Sequence, residues 1–325
     1  MTFKRAIVTA VGPLRIKIDG DTVPIPFTPK SGIDPATLAV GDVVHADQSG
    51  HRLVVLVRVG GLGLLSGRNR IINGNFRTNQ RGYASAESLA AGAYGFDRWR
   101  ASNAGTTLTF IDAPQGQQVT INTDHGMNQI VWQPNLPAGD YVLSWEGTAE
   151  GRVYPIGGTP PSYAASPVTV TLDGTTDAVV TFNAPWTPKT LGRVQLEAGT
   201  VPTPFEWISV GEELAACQQY YQRVASASAF VMLAFGYQQT STSVIASLQL
   251  GRPMRTVPTV SSSNVEWSDQ VTFATALTSL SLTTGSDLRS LSLESDIASN
   301  GAGFRPGVIR VTSAGSGYLT LDAEL

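Results

Sequence analysis

The chain has 325 residues, of which 14% are charged, with a formal net charge of −3 and a single cysteine. This length is enough for two or three domains with hydrophobic cores of their own. The charge balance gives no basis for nucleic-acid binding or for a polybasic membrane contact, because both need clustered Lys and Arg. The single Cys217 excludes a disulfide within the chain, and no apolar run approaches the roughly 18 residues that cross a bilayer.

Residues 1–60 contain short apolar or alternating segments separated by turn residues, a pattern typical of a small OB-like or SH3-like β-barrel. The predicted strands are Lys4–Val11, Leu14–Ile18, Thr22–Phe27, Asp42–Ala46 and Arg52–Val59. The N-terminal segment does not resemble a signal peptide, since Pro13, Arg15 and Lys17 interrupt it before an apolar core of signal length forms, so we expect synthesis in the cytoplasm without Sec-type export. His45 and His51 also lie here, but no cysteine or acidic cluster completes a metal site, and we expect none.

A glycine-rich segment, Gly60–Gly67, marks a boundary between domains, with four glycines in eight residues. Residues 68–208 follow it and predict a β-sandwich or a jelly roll, because short strands recur at regular spacing between turn residues. The predicted strands are Thr107–Ile111, Gln118–Ile121, Gln129–Gln133, Gly139–Glu146, Val168–Leu172, Ala178–Phe182 and Lys189–Glu197.

Residues 209–224 are predicted to form one connecting α-helix. Ser209 and Glu212 have the N-cap and N3 spacing of a capping box. Apolar positions recur at helical intervals and predict a buried assembly face composed of Leu214, Cys217 and Tyr221. We expect this face to pack against the jelly roll, the distal domain or a symmetry-related helix.

Residues 225–325 predict a second, distal β-sandwich, in which Ser and Thr alternate with apolar residues along strands that have one solvated face. The predicted strands are Phe230–Gly236, Val244–Leu250, Val257–Ser262, Gln270–Phe273, Leu277–Leu282, Leu288–Leu293, Val308–Thr312 and Tyr318–Leu325. Strands of this composition are suited to pairing between copies, so we expect a homotrimer built largely through residues 209–325.

Two long stretches carry a family pattern. They are "NRIINGNFRTNQRGYASAES…GFDRWR" (Asn69–Arg100) and "RVQLEAGTVPTPFEW…EELAACQQYYQR" (Arg193–Arg223). The first resembles the opening of a jelly roll related to carbohydrate-binding modules, as found in minor tail and tail-fibre proteins of bacteriophages. The second resembles the passage in the same proteins from the jelly roll, through a helix, to a distal β domain. "LGRPMRTVPTV" and "GYLTLDAEL" near the C-terminus are similar too, so the resemblance covers about residues 69–325.

The resemblance implies a virion protein of a phage tail tip or fibre, with other tail proteins as partners and a host-surface glycan as ligand. The barrel would attach to the tail, and adhesion would come from weak contacts multiplied by repeated copies. Three aromatic residues of the jelly roll are the candidate sugar-stacking positions: Trp132, Tyr154 and Trp186. For each of them the alternative is a place in the hydrophobic core.

The residues predict neither an enzyme nor a cofactor site. No two carboxylates of the jelly roll form a recognised local pair for glycoside cleavage. Ser-His-Asp catalysis would need a histidine, and the one histidine of this domain, His125, lies in a predicted loop. Related jelly rolls hold a structural calcium ion near their start, but here Arg77 follows Phe76 and the neighbouring Asn75 is neutral, so no metal is expected. Two alternatives to adhesion stay open: a purely architectural tail subunit without host contact, and a polysaccharide depolymerase.

Overall fold

The computed structural model describes residues 3–18, 22–25, 28–31, 43–49, 52–59, 67–102, 104–111, 116–122, 126–185, 188–269, 274–299 and 303–324. The chain divides into two compact units, Met1–Arg68 and Asn69–Leu325, so the division follows directly after the glycine-rich segment. The prediction of a mainly β chain with barrel and sandwich sheets is confirmed, since 46% of the residues lie in strands. Among the described residues there is one α-helix.

The first unit is a five-stranded sheet with strand order β2-β1-β4-β5-β3. Its strands are β1 (Phe3–Val11), β2 (Leu14–Ile18), β3 (Lys30–Ser31), β4 (Val43–Ser49) and β5 (Arg52–Val59). Neighbouring strands pair antiparallel except β3, which runs parallel to β5. Its small core contains Ala6, Val8, Leu14, Ile16 and Val44.

The predicted strand Thr22–Phe27 is wrong for the part that the structure describes, because residues 22–25 form a bend and irregular backbone. Pro24 has no N–H to donate to a sheet, which works against pairing at this position. Ile25 instead donates a single backbone hydrogen bond to the Ile16 carbonyl, at 3.1 Å.

The second unit begins with a two-layer sandwich. Its strands are β6 (Ser88–Leu89), β7 (Arg100–Ala101), β8 (Thr106–Thr109), β9 (Val119–Ile121), β10 (Met127–Val131), β11 (Gly139–Gly147), β12 (Glu150–Pro155), β13 (Val168–Leu172), β14 (Ala178–Asn183) and β15 (Lys189–Ala198). One sheet has the order β12-β14-β10-β7, and the other has the order β13-β11-β15-β9-β8-β6. Both sheets bury side chains in one shared core, which includes Phe182 from the first and Leu143 from the second. Phe76 and Trp99, in the connections before β7, are fully buried in the same core.

The single helix, α1, extends from Val210 to Cys217 and is shorter than the predicted 209–224. The predicted capping box is present, because Ser209 accepts from the Glu212 N–H and the Glu212 carboxylate accepts from the Ser209 N–H. The chain then turns and enters a strand at Tyr221, so the predicted helical position of Tyr221 is wrong. Pairing of this strand with the C-terminal strand overrides the helical spacing of the apolar residues, as tertiary contacts often override local propensity.

A second sandwich follows the helix. Its strands are β16 (Tyr221–Ser226), β17 (Met232–Gln238), β18 (Ser243–Gln249), β19 (Thr259–Ser263), β20 (Val265–Ser268), β21 (Ala274–Ala276), β22 (Ser281–Leu282), β23 (Ser290–Asp296), β24 (Pro306–Val311) and β25 (Gly317–Asp322). A three-stranded sheet, β16-β25-β19, packs on a seven-stranded sheet, β21-β20-β24-β17-β18-β23-β22. The predicted strand Gln270–Phe273 lies outside the described residues.

Candidate functional site

The two predicted sugar-stacking residues that the structure describes, Trp132 and Tyr154, do not form one group. Trp132 directly follows β10 and is half-buried, and Tyr154, in β12, is half-buried too. Trp186 lies outside the described residues. Strand β14 separates β12 from β10, and the two described rings have different cationic neighbours.

Tyr154 belongs to a small group on the outer face of the four-stranded sheet. The Arg152 guanidinium lies over the Tyr163 ring at 4.0 Å and over the Tyr154 ring at 5.5 Å. Trp132 instead faces the second sandwich, whose Arg255 lies 5.9 Å from its ring. The sequence places Tyr154 and Trp132 in one jelly roll, but the fold gives them different surroundings.

The helix fastens the start of the jelly roll through a buried ion pair. Glu213 in the first turn of α1 lies 2.6 Å from Arg77, and both side chains are almost fully buried. Burial raises the pKa of Glu213, and the Arg77 guanidinium opposes that rise. Buried ions of this kind are retained only when each is paired, because an unpaired buried charge costs several kcal/mol.

The predicted assembly face is partly internal to the chain. Cys217 is fully buried, Tyr221 is buried in β16 and Leu214 is half-buried. Burial raises the pKa of the Cys217 thiol well above its usual value, and the nearby carboxylates of Asp97 and Glu213 raise it further. A thiol in this state is a packing group and not a nucleophile, because the thiolate is the reactive form.

The two sandwiches meet at a second, larger cluster, which we call the joint. It contains Gln80, Arg81, Asp97 and Arg98 from the jelly roll, and Tyr220, Tyr221, Asp322 and Glu324 from the distal sandwich. Arg98 is 1% exposed, pairs with the Glu324 carboxylate, donates to the Ile130 carbonyl and lies over the Tyr220 ring at 3.6 Å.

Arg81 repeats this arrangement at the edge of the joint. Its guanidinium lies 3.1 Å from Asp322 and 3.3 Å from Glu324, and 3.7 Å above the Tyr221 ring. Gln80 bridges the two sandwiches, since its Nε2 donates to Asp97 at 3.0 Å and to the Tyr221 carbonyl at 2.9 Å. Planar guanidinium groups suit this role because they can stack on a ring and donate in their own plane at the same time.

Beside the joint, an open cleft of about 380 Å³ lies over the outer face of the three-stranded sheet; we call it the Arg223 cleft. Its floor follows from the strand register, which places directly opposite residues on one face of the sheet. The floor contains two rows: Tyr221 with Asp322 and Thr259, and Arg223 with Thr320 and Ser261. The other face carries Leu319 and Leu321, which are fully buried in the core.

Most residues of the joint and several of the cleft lie in the sequence motifs that carry the family resemblance, but these motifs assign them no role. Asp97, Arg98 and Tyr220 all lie in the motifs that carry the family resemblance, yet nothing in those motifs states that they touch. The cleft had a local signal, because polar or aromatic residues occupy every second position of Tyr318–Asp322. That alternation predicts one wet face but not the cleft above it, which depends on Arg81 from the other sandwich.

Within the described part of the chain, no group of three or more His, Cys, Asp or Glu is arranged to hold a metal ion. Over the same residues, no helix is long and apolar enough to cross a membrane. Glu146 and Glu150 lie close together in the sequence of the jelly roll but have separate surroundings, since Glu146 pairs with Arg193 at 2.7 Å and Glu150 begins β12. Neither protein-family models nor curated proteins give a match to this sequence.

Proposed function

We propose that the chain is a structural subunit of a bacteriophage tail tip or fibre that adheres to a host-surface glycan. The proposal rests on the sequence resemblance and on one structural observation, the joint. Arg98 and Glu324 are 226 residues apart in sequence and meet in a buried ion pair. The motifs that carry the resemblance therefore contribute to a mechanical connection between two sandwiches.

A connection of this kind suits a part that transmits force between a particle and a surface. It consists of charge-assisted contacts and ring contacts, which fix orientation more strictly than apolar packing does. The first unit would then attach the chain to the tail, and the second unit would present the glycan-binding surface. Weak contacts of single copies would add up in a repeated assembly.

The proposal is tested by passing the purified full chain over immobilised cell-wall polysaccharide from the host bacterium. We expect retention of the protein and no shortening of the polysaccharide. A fragment of residues 69–325 should be retained equally, and a fragment of residues 1–68 should pass through. Retention of the smaller fragment alone would reverse the assignment of the two ends.

The same assay separates the other two functions. A chain that passes through unretained, although it is folded by circular dichroism, supports a purely architectural subunit. Shortened polysaccharide chains in the eluate, detected by size-exclusion chromatography, support a depolymerase. Only retention without shortening supports the proposed adhesion.

A further inference from the structure

We infer that the Arg223 cleft binds an acidic oligosaccharide, one whose sugar units carry carboxylate or phosphate groups; this assignment rests on the proposed glycan-binding function and gives it a site. The cleft differs from the aromatic positions predicted from the sequence, since Trp132 and Tyr154 do not line it. Its volume of about 380 Å³ falls within the range typical of small-ligand sites, about 300–1,000 Å³.

The anion would lie at Arg223. No carboxylate of the described residues pairs with this guanidinium, in contrast to Arg77, Arg81 and Arg98. Among the described residues, its one hydrogen bond is a long contact of 3.5 Å from Nη1 to the Gln80 carbonyl, and its Nε is buried without a partner. Carboxylates and phosphates match the donor geometry of a free guanidinium better than any neutral group does.

The Arg223 side chain is also held in position before any ligand arrives. Its guanidinium lies 4.2 Å from the centre of the Tyr318 ring, in the same sheet face. Stacking on a ring uses the face of the guanidinium and leaves the N–H groups at its edge free to donate. A held cation loses less conformational entropy on binding than a freely rotating one.

Hydroxyl groups cover the floor beside this cation. Thr259, Ser261 and Thr320 share the sheet face, and the hydroxyls of Ser261 and Thr320 lie 2.5 Å apart. Each hydroxyl both donates and accepts, so together they can match sugar hydroxyls of either polarity. Short side chains also leave the floor low enough for a ring to lie over the sheet.

The far end of the cleft gives the ligand a direction. Asp322 is held by Arg81 at 3.1 Å, so this end carries a neutralised pair and not a second free cation. A ligand anion is therefore favoured at Arg223 and disfavoured beside Asp322, whose oxygens instead accept hydrogen bonds from sugar hydroxyls. The resulting polarity favours a sugar with separated charged and hydroxylated edges.

The test is isothermal titration of the full chain with three probes: trigalacturonate, a phosphorylated galactotriose and neutral galactotriose. We expect at least one of the two acidic probes to bind at least tenfold more tightly than galactotriose, and the stronger one identifies the source of the anion. Arg223→Gln should weaken that binding at least tenfold, and Thr320→Val should weaken it severalfold without a change of charge. Arg289→Gln, which removes an exposed arginine of the same sandwich outside the cleft, should leave it unchanged.

The assignment is overturned if neither acidic probe binds at millimolar concentration, or if Arg223→Gln binds the acidic probes as tightly as the natural chain does. Its failure can be told apart from failure of the proposed function. Host polysaccharide that retains Arg223→Gln as well as the natural chain overturns the cleft assignment and leaves adhesion standing. Binding of an acidic probe that depends on Arg223, without retention on host polysaccharide, supports the cleft and contradicts the proposed adhesion.

Discussion

Asp97 is a buried carboxylate whose charge is incompletely satisfied. Its Oδ2 accepts from the Gln80 N–H at 3.1 Å and from Gln80 Nε2 at 3.0 Å, whereas its Oδ1 has no partner among the described atoms. Burial raises the pKa of Asp97 to about 6, against the opposing effects of the Gln80 hydrogen bonds and Arg81. The folded protein therefore holds this proton up to a higher pH than the unfolded chain does. The contribution of Asp97 to stability is full below its usual pKa, near 4, and is lost as the pH rises through about 6.

Asp97→Asn should remove this pH dependence. At pH 7 we expect the variant to be more stable than the natural chain by up to about 3 kcal/mol, since each unit of pKa shift corresponds to about 1.4 kcal/mol. At pH 3.5 the two proteins should have nearly the same free energy of unfolding, measured by urea denaturation. A difference that stays constant between the two pH values would show that the pKa of Asp97 is not raised in the folded protein.

Glu324 is the partner whose removal should harm the joint most. Glu324→Ala leaves the buried Arg98 guanidinium without its carboxylate, and breaking such a pair typically costs about 3–5 kcal/mol. Glu294→Ala, at an exposed position of the distal sandwich, should change the free energy of unfolding by less than about 0.5 kcal/mol. A loss below about 1 kcal/mol in the first variant would mean that the pair does not hold the sandwiches together.

At the scale of single elements, the helix depends on its cap. Ser209→Ala removes the hydroxyl that accepts from the Glu212 N–H at 3.2 Å, and should cost about 1 kcal/mol. Ser313→Ala, at an exposed turn position, serves as the matched control and should be neutral within about 0.5 kcal/mol. Equal melting temperatures for the two variants would contradict the role of the cap.

Local pattern predicted the elements well where it was strong. The strands at Leu14–Ile18 and Val168–Leu172 have the predicted bounds, because alternation and flanking turn residues coincide there. Strand β12 is not predicted from the sequence, because its first three residues, Glu150, Gly151 and Arg152, do not alternate between polar and large apolar side chains. The sequence predicts too long a helix because Tyr221 stands at a helical interval from Cys217. The sequence alone does not show that Tyr221 belongs to a strand that pairs with β25.

At the scale of the molecule, the joint and the cleft could not be predicted, because both depend on contacts between residues far apart in sequence. Arg81 and Asp322 are separated by 241 residues, and the sequence around neither residue predicts a contact with the other. The motifs that carry the family resemblance contain the residues of the joint, but they do not show that these residues are in contact. The predicted sugar-stacking residues stay a prediction.

We expect three copies to associate through the part of the chain from residue 209 onwards. Exposed aromatic residues on the outer face of the seven-stranded sheet, Phe235 and Tyr237, favour such pairing, because large apolar groups in solvent often mark interfaces. Light scattering at micromolar concentration should give three times the chain mass of 34.4 kDa. A mass of one chain would count against the trimer and against adhesion by repeated copies.

We propose that this chain is a component of a phage tail. Immunogold electron microscopy tests it directly, with an antibody against residues 69–325 applied to phage particles purified from cells that express the chain. We predict gold at the tail tip or fibres, with about the same density on every intact particle. Particles without gold, when the same antibody detects the free chain in the cell lysate, would contradict the claim.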